Sequence, residues 1–221
     1  MKLKVLFFVN IILSISFLNA QELFTESYTL MGSAFELTVV ANDKAEAQAH
    51  IATAKNEIER IELLISSWDS NSETSSINQN AGIKPIKVSK ELWDLIDRSQ
   101  QISKITSGAF DLTFAAVDQI WKFDGSDAVM PDADLIKASV SKIGYNQVQL
   151  NKEQSTVFLP QKGMKIGFGA IGKGYAADRA KQLLEASGVV AGIINASGDM
   201  NTWGTQPDGS PWTIGVINPM N

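Results

Sequence analysis

The segment Lys165-Ile-Gly-Phe-Gly-Ala-Ile-Gly-Lys-Gly-Tyr-Ala-Ala-Asp178 gathers four glycines, Gly167, Gly169, Gly172 and Gly174, around one lysine, Lys173. A glycine lets a backbone approach a ligand with no Cβ in the way. A helical pattern begins here, and a helix start offers unpaired N–H groups and the positive end of the macrodipole. With the ammonium of Lys173 added, the combination suits a diphosphate. Two phosphate-binding spacings touch the segment and neither fits. Gly167-x-x-x-x-Gly172-Lys173 nearly matches the P-loop, but Gly174 stands where a Ser or Thr hydroxyl is needed to hold Mg²⁺. Gly167-x-Gly169-x-x-Gly172 matches the dinucleotide fingerprint, which should open a βαβ unit, whereas here it comes late with little chain after it. The alternative is a glycine-rich turn that only starts a helix.

Other residues of chemical interest sit in loops. Asp111, in Ser107-Gly-Ala-Phe-Asp-Leu-Thr113, can accept from a ribose hydroxyl or a flavin ring N–H, or can cap the next helix. Asp199, in Asn195-Ala-Ser-Gly-Asp199, faces a ligand from a strand end or starts a turn. Met31, in Met31-Gly-Ser33, is core filling or a ligand contact. Trp68 packs back on its own domain or offers a platform for an adenine ring.

The elements that must position these residues follow from periodicity. Residues 35–39 alternate as a half-buried strand does. Asp43 and Glu46 resemble a capping box, and Ile51, Ile58, Ile61 and Ile65 mark one face of a long helix. Residues 66–82 are rich in Ser, Asn and Thr and read as loop. Ser89 caps a second helix with Leu92, Leu95, Ile96, Ser99 and Ile102 inward. Residues 106–113 read as loop, 114–121 as a short helix, 124–131 as a polar break, and Pro131 as the first turn of another helix. Residues 147–150 and 156–159 read as a hairpin. Residues 173–186 are helical, with Ala177, Ala180, Leu183 and Leu184 inward and Gly188 as the stop. Residues 192–195 and 212–216 read as strands. Strands fall in adjacent groups, which predicts an α+β fold with antiparallel sheet.

Composition narrows the function. The chain has 221 residues, 44% of them apolar, enough for a real core. Lys2 and Lys4, the apolar run 5–18 and Ala20 before Gln21 predict a signal peptide over residues 1–20, hence an exported, periplasmic or extracytoplasmic product. An uncleaved anchor is the alternative reading, although the run is short for a bilayer span. With no cysteine, thiol nucleophiles, thiolate metal sites and disulfides are excluded. One histidine, His50, leaves little for a Ser-His-Asp triad within this chain. Removing Lys2 and Lys4 takes the formal charge from −5 to −7, an acidic balance that argues against nucleic acid as a partner.

Taken in order, the segments resemble the FAD:protein FMN transferase (ApbE) family. They stand as Met31-Gly32-Ser33, the Ser/Asn-rich loop 66–78, Gly108-Ala-Phe-Asp-Leu-Thr113, Gly169-Ala-Ile-Gly-Lys-Gly-Tyr175 and Ser197-Gly-Asp199, with Pro211-Trp212 and Asn218-Pro219 beyond. The resemblance covers about residues 27–219 and implies a T-fold-like α+β architecture with antiparallel sheets packed on helices. It implies binding of FAD and transfer of its FMN half to a threonine of an acceptor flavoprotein subunit, with release of AMP and help from Mg²⁺. By position it implies FAD contacts from Met31, Trp68, Ala109, Phe110, Asp111 and Lys173, and a main-chain metal contact from Ala170. Two departures stand out within the motifs: Gly167 where the family has Asp, and Ser197 where it has Gly. Family members also continue beyond the matched region, so the expectation for residues 21–221 is a flavin transferase domain without its C-terminal part. Two other activities stay open: FAD binding without turnover, and hydrolysis of FAD to AMP and FMN.

Overall fold

The computed structural model describes residues 21–117, 120 and 130–215. The predicted signal peptide, Trp121 and the polar residues 124–129 lie outside the described residues, as do residues 216–221. In chain order the elements are β1 (Glu22–Leu30), β2 (Ser33–Ala41), α1 (Lys44–Ile65), α2 (Glu73–Gln79), β3 (Ile86–Lys87) and α3 (Lys90–Ile105). A 3-10 turn (Leu112–Val117), α4 (Ala133–Val140), a second 3-10 turn (Tyr145–Gln147), β4 (Gln149–Asn151) and β5 (Thr156–Phe158) follow. The last are α5 (Gly172–Ala186), β6 (Gly192–Ala196) and β7 (Asp199–Trp203).

The main sheet runs β1-β2-β6-β7, antiparallel throughout, and a small second sheet runs β3-β5-β4. This is the α+β class with antiparallel sheet that adjacent strand groups imply. Period-2 alternation along β2 turns Phe35, Leu37 and Val39 into the core, where α1 covers them with Ala47, Ile51, Ala54, Ile58, Ile61 and Ile65. α5 lies beside α1 and presents Ala176, Ala177, Ala180 and Leu184, all fully buried. Its small side chains let the two helices approach closely. At Gly192 a Cβ would meet both Thr38 O and the Trp203 ring at 2.6 Å, so the glycine lets the indole lie flat across β6.

Local capping works as expected. Asp43 Oδ1 accepts from Glu46 N–H (2.9 Å), while the Glu46 carboxylate reaches back to Asn42 N–H (2.8 Å). Ser89 Oγ accepts from Leu92 N–H. α5 ends in a Schellman motif: Gly188 takes φ +88°, its N–H donates to Glu185 O, and Val189 N–H donates to Leu184 O. α3 ends in the same motif with a serine, Ser107, in the left-handed position (φ +51°).

Several expectations are corrected. The polar run 66–82 contains α2, because Ser72 caps it at Ser75 N–H and Thr74, Ser75 and Ile77 are buried. A small polar residue that finds a backbone acceptor is as good a core residue as an apolar one; Thr74 Oγ1 donates to Leu64 O. The helix expected from 114 begins two residues earlier as a 3-10 turn. Pro131 precedes α4 rather than opening it, since Asp132 is the cap and accepts from Asp134 N–H. Ser103, not Ile102, completes the buried face of α3. Leu183 is 39% exposed, a quarter-turn away from the stripe that faces α1. Among the described residues, 212–215 pair with no strand, and residue 216 lies outside them; Trp212 donates its indole N–H to Trp203 O at the end of β7 (2.9 Å). Alternation in sequence makes a strand only where a partner edge is free.

Candidate functional site

α1, α2, α3 and α4 each start on a side-chain cap, from Asp43, Ser72, Ser89 and Asp132. α5 does not. Its N-cap is Ile171, no side chain caps it, and the N–H groups of Lys173 and Gly174 find no acceptor among the described residues. An uncapped start holds unsatisfied donors and partial positive charge. Lys173, half-buried in the first turn, forms no ion pair among the described residues.

The four glycines of the segment divide the work, and none of them needs a positive φ. Gly172 is buried, and a Cβ there would sit 2.7 Å from Ile65 Cδ1, so its bareness lets α5 dock on the end of α1. At Gly167 a Cβ would lie 3.0 Å from Ala115 Cβ. A side chain there, such as the aspartate that the family resemblance implies, would press on Ala115 and reach the Phe114 ring. Gly169 and Gly174 are the open ones. The segment is clamped before it reaches α5. Asn78 accepts from Ile166 N–H (2.8 Å) and donates to Ile166 O (3.0 Å), and Gly167 N–H donates to Leu112 O (2.9 Å).

Lys173, Gly169 and Gly172 open on a cavity of about 470 Å³ whose other walls include Met31, Glu62 and Trp68. Three of the residues singled out in sequence, Met31, Trp68 and Lys173, therefore meet here from three distant parts of the chain. Met31 and Gly32 form the two-residue β1–β2 turn, with φ +51° and +68°. Two positive φ values define a type I′ turn, in which a methionine is costly by about 1–2 kcal/mol. The Met31 N–H is held by Glu62 Oε2 at 3.0 Å. Trp68 follows the end of α1, where Ser66 Oγ accepts from Trp68 N–H (3.2 Å) and Asp69 N–H (2.9 Å). Its indole is 80% exposed, free to stack on a flat ligand.

Ala109, Phe110, Asp111 and Ala170 do not line this cavity. The first three lie in the loop after α3, which touches the glycine segment through Leu112 and Phe114. Asp111 spends both oxygens on the protein: Oδ1 accepts from Thr113 N–H (2.8 Å) and Thr113 Oγ1–H (2.6 Å), and Oδ2 from Tyr145 N–H (2.9 Å). Ala170 lies across the turn, on a neighbouring cavity of about 390 Å³ with Arg98, Asp178 and Asp199. Glu62 and Asn78 were missed in sequence. A lone charge near a helix end and an amide in a polar run carry no signal of the long-range bonds they make.

An ionic network sets the angle of α5. Arg60 donates to both oxygens of Glu57 and both of Glu91 at 2.7–2.9 Å, and Tyr175 donates its hydroxyl to Glu91 Oε1 (2.9 Å). Arg179 Nε lies 3.4 Å from the same oxygen. Arg60, and then Tyr175, hold the Glu91 carboxyl below its ordinary value despite its burial. Burial, and then Glu91, push the Tyr175 phenol up. α1, α3 and the first turn of α5 are thus bolted together two residues from Lys173.

The four-stranded antiparallel sheet with α1 and α5 packed on it defines an α+β architecture shared with solved ApbE structures. The ApbE protein of Thermotoga maritima superposes with a TM-score of 0.83 at 26% identity, covering 90% of this chain and 65% of that one. The flavin transferase ApbE of Vibrio cholerae gives 0.82 at 20% identity, which speaks to the fold alone. The ApbE family model matches residues 31–221, and the chain belongs to the ApbE family. Two proteins named FAD:protein FMN transferase from Klebsiella pneumoniae are 32% and 27% identical to it, over 89% and 86% of this chain. The chain spans 59% and 55% of their respective lengths.

Proposed function

We propose that this protein binds FAD and serves the transfer of its FMN half to an acceptor flavoprotein, at a threonine side chain. The observation that carries the reading is the cavity where uncapped N–H groups, Lys173 and the exposed Trp68 converge. The names borne by the Klebsiella relatives support it. A diphosphate at the α5 start would meet the helix donors and the ammonium, and the adenine would stack on Trp68. In the reaction the threonine Oγ forms a bond to the FMN phosphorus, and the bond from that phosphorus to the bridging oxygen breaks. The bridging oxygen leaves with AMP, and the hydroxyl proton passes to a base. Negative charge grows on the departing phosphate, where Lys173 and the helix start stabilise it.

Mg²⁺ belongs to this reading through the family resemblance, with the Ala170 carbonyl as its contact. The described residues hold no group of three or more His, Asp or Glu, but Mg²⁺ usually takes one or two carboxylates with substrate phosphate and water, and Asp178 and Asp199 line the same cavity as Ala170. No step is assigned to the ion. Export to the periplasm or another extracytoplasmic space is part of the proposal, on the strength of the basic and apolar residues 2–18. Among the described residues no helix is long and apolar enough to cross a membrane.

The test is titration with FAD followed by incubation with Mg²⁺ and an acceptor subunit, reading AMP release and covalent flavin. Lys173→Ala should weaken FAD binding about tenfold to a hundredfold, the worth of a charge-assisted hydrogen bond. An unchanged dissociation constant would reject the role given to Lys173.

A further inference from the structure

We infer that Glu62 reads the sugar hydroxyls of the bound nucleotide. The inference rests on the FAD reading above and adds a group that the sequence motifs do not include. Glu62 lies on the last turn of α1 and lines the same cavity as Met31, Trp68 and Lys173. Its Oε2 accepts from Met31 N–H, and its Oε1 meets no donor among the described residues. An ionised carboxylate accepts at about four lone-pair sites, so most of its capacity stays open to the cavity. Lys173 does not consume it, since the two form no ion pair within 4.0 Å.

A carboxylate repels phosphate oxygens and accepts from hydroxyls. With Lys173 and the helix start taking the diphosphate, the donors of FAD nearest to it are the ribose hydroxyls and the ribityl hydroxyls, while the adenine amino group and the flavin ring N–H lie at the far ends of the molecule. A carboxylate on a ribose diol is the device by which dinucleotide-binding folds recognise an unphosphorylated sugar. Glu62 is also pre-oriented. The Met31–Gly32 turn, with its positive φ values, holds one carboxylate oxygen in place, so little freedom remains to lose on binding.

Glu62→Gln tests this. The amide oxygen keeps the bond from Met31 N–H, so the turn survives, while the cavity side loses its charge and one acceptor. Calorimetry would compare FAD, ADP, 2′,3′-dideoxy-ADP and FMN on wild type and variant. Wild type should bind FAD about tenfold or more tighter than the variant. If the ribose is read, wild type should also prefer ADP over dideoxy-ADP about tenfold, and the variant should bring that ratio near one. If the ribityl chain is read, the loss should appear in FMN instead. The ratio between two ligands on one protein does not depend on how much of it is folded. FAD affinity unchanged by Glu62→Gln, or a fall in melting temperature with all affinities intact, overturns the inference and leaves the FAD reading standing. Failure of wild type to bind FAD at all overturns both.

Discussion

Asp111→Asn separates a carboxylate that serves the fold from one that serves a ligand. In the structure Asp111 accepts three hydrogen bonds, two from Thr113 and one from the N–H of Tyr145. An asparagine has one acceptor oxygen. If it stays with Thr113, the new NH₂ group faces the Tyr145 N–H, donor against donor, and that N–H loses its partner. The two surviving bonds lose their charge assistance as well. A lost hydrogen bond to a charged group costs about 1.5–3 kcal/mol, and Asp111 is half-buried, so we expect about 2 kcal/mol. For a chain of this size 1 kcal/mol shifts Tm by roughly 2–4 °C, so Tm should fall by about 4–8 °C. The assay is thermal melting followed by near-ultraviolet circular dichroism, run beside an FAD titration at a temperature where both proteins are folded. A melting temperature within about 1 °C of wild type, with FAD affinity lost, would refute the structural assignment and return the carboxylate to the ligand.

Two further outcomes are expected. Arg60, then Tyr175, depress the Glu91 carboxyl below its ordinary 4.5, so its stabilising contribution is complete above that value and lost as pH falls through the lower folded value. Glu91→Gln should therefore lower the urea midpoint at pH 7 and flatten its decline in acid; an acid decline as steep as wild type would contradict the network's role. Gly167→Asp, which restores the usual family carboxylate, should not tighten FAD binding in this chain, because its Cβ would press on Ala115 Cβ at 3.0 Å. Overpacking of this kind costs about 1–3 kcal/mol, visible in urea melts, and a variant that is both stable and tighter for FAD would show that the pocket wall yields.

Local chemistry was legible in the sequence. The caps at Asp43 and Ser89, the stop at Gly188, the isoleucine stripe of α1 and the β4–β5 hairpin each depend on residues within a few positions of one another. Their energies are set by backbone geometry that neighbours alone dictate, and the grouping of strands was enough to predict the α+β class. The ordered motifs carried the family for a similar reason, since each is a short stretch with its own backbone requirement. Tertiary structure decided the rest. The glycines of the Lys173 segment looked alike in sequence, yet Gly172 makes room for Ile65 and Gly167 for Ala115, while Gly169 and Gly174 stay open. Asp111 read as ligand contact or cap, and neither reading contained the bond that its Oδ2 accepts from the N–H of Tyr145, 34 residues on. α2 was invisible because its stability comes from Thr74, Ser75 and Ile77 being buried under other elements rather than from helix propensity. Met31, Glu62, Trp68 and Lys173 share a wall only after β1–β2, α1 and α5 have packed. Hydrogen bonds across long loops and excluded volume between distant side chains exist only in the folded chain, so no window of sequence contains them.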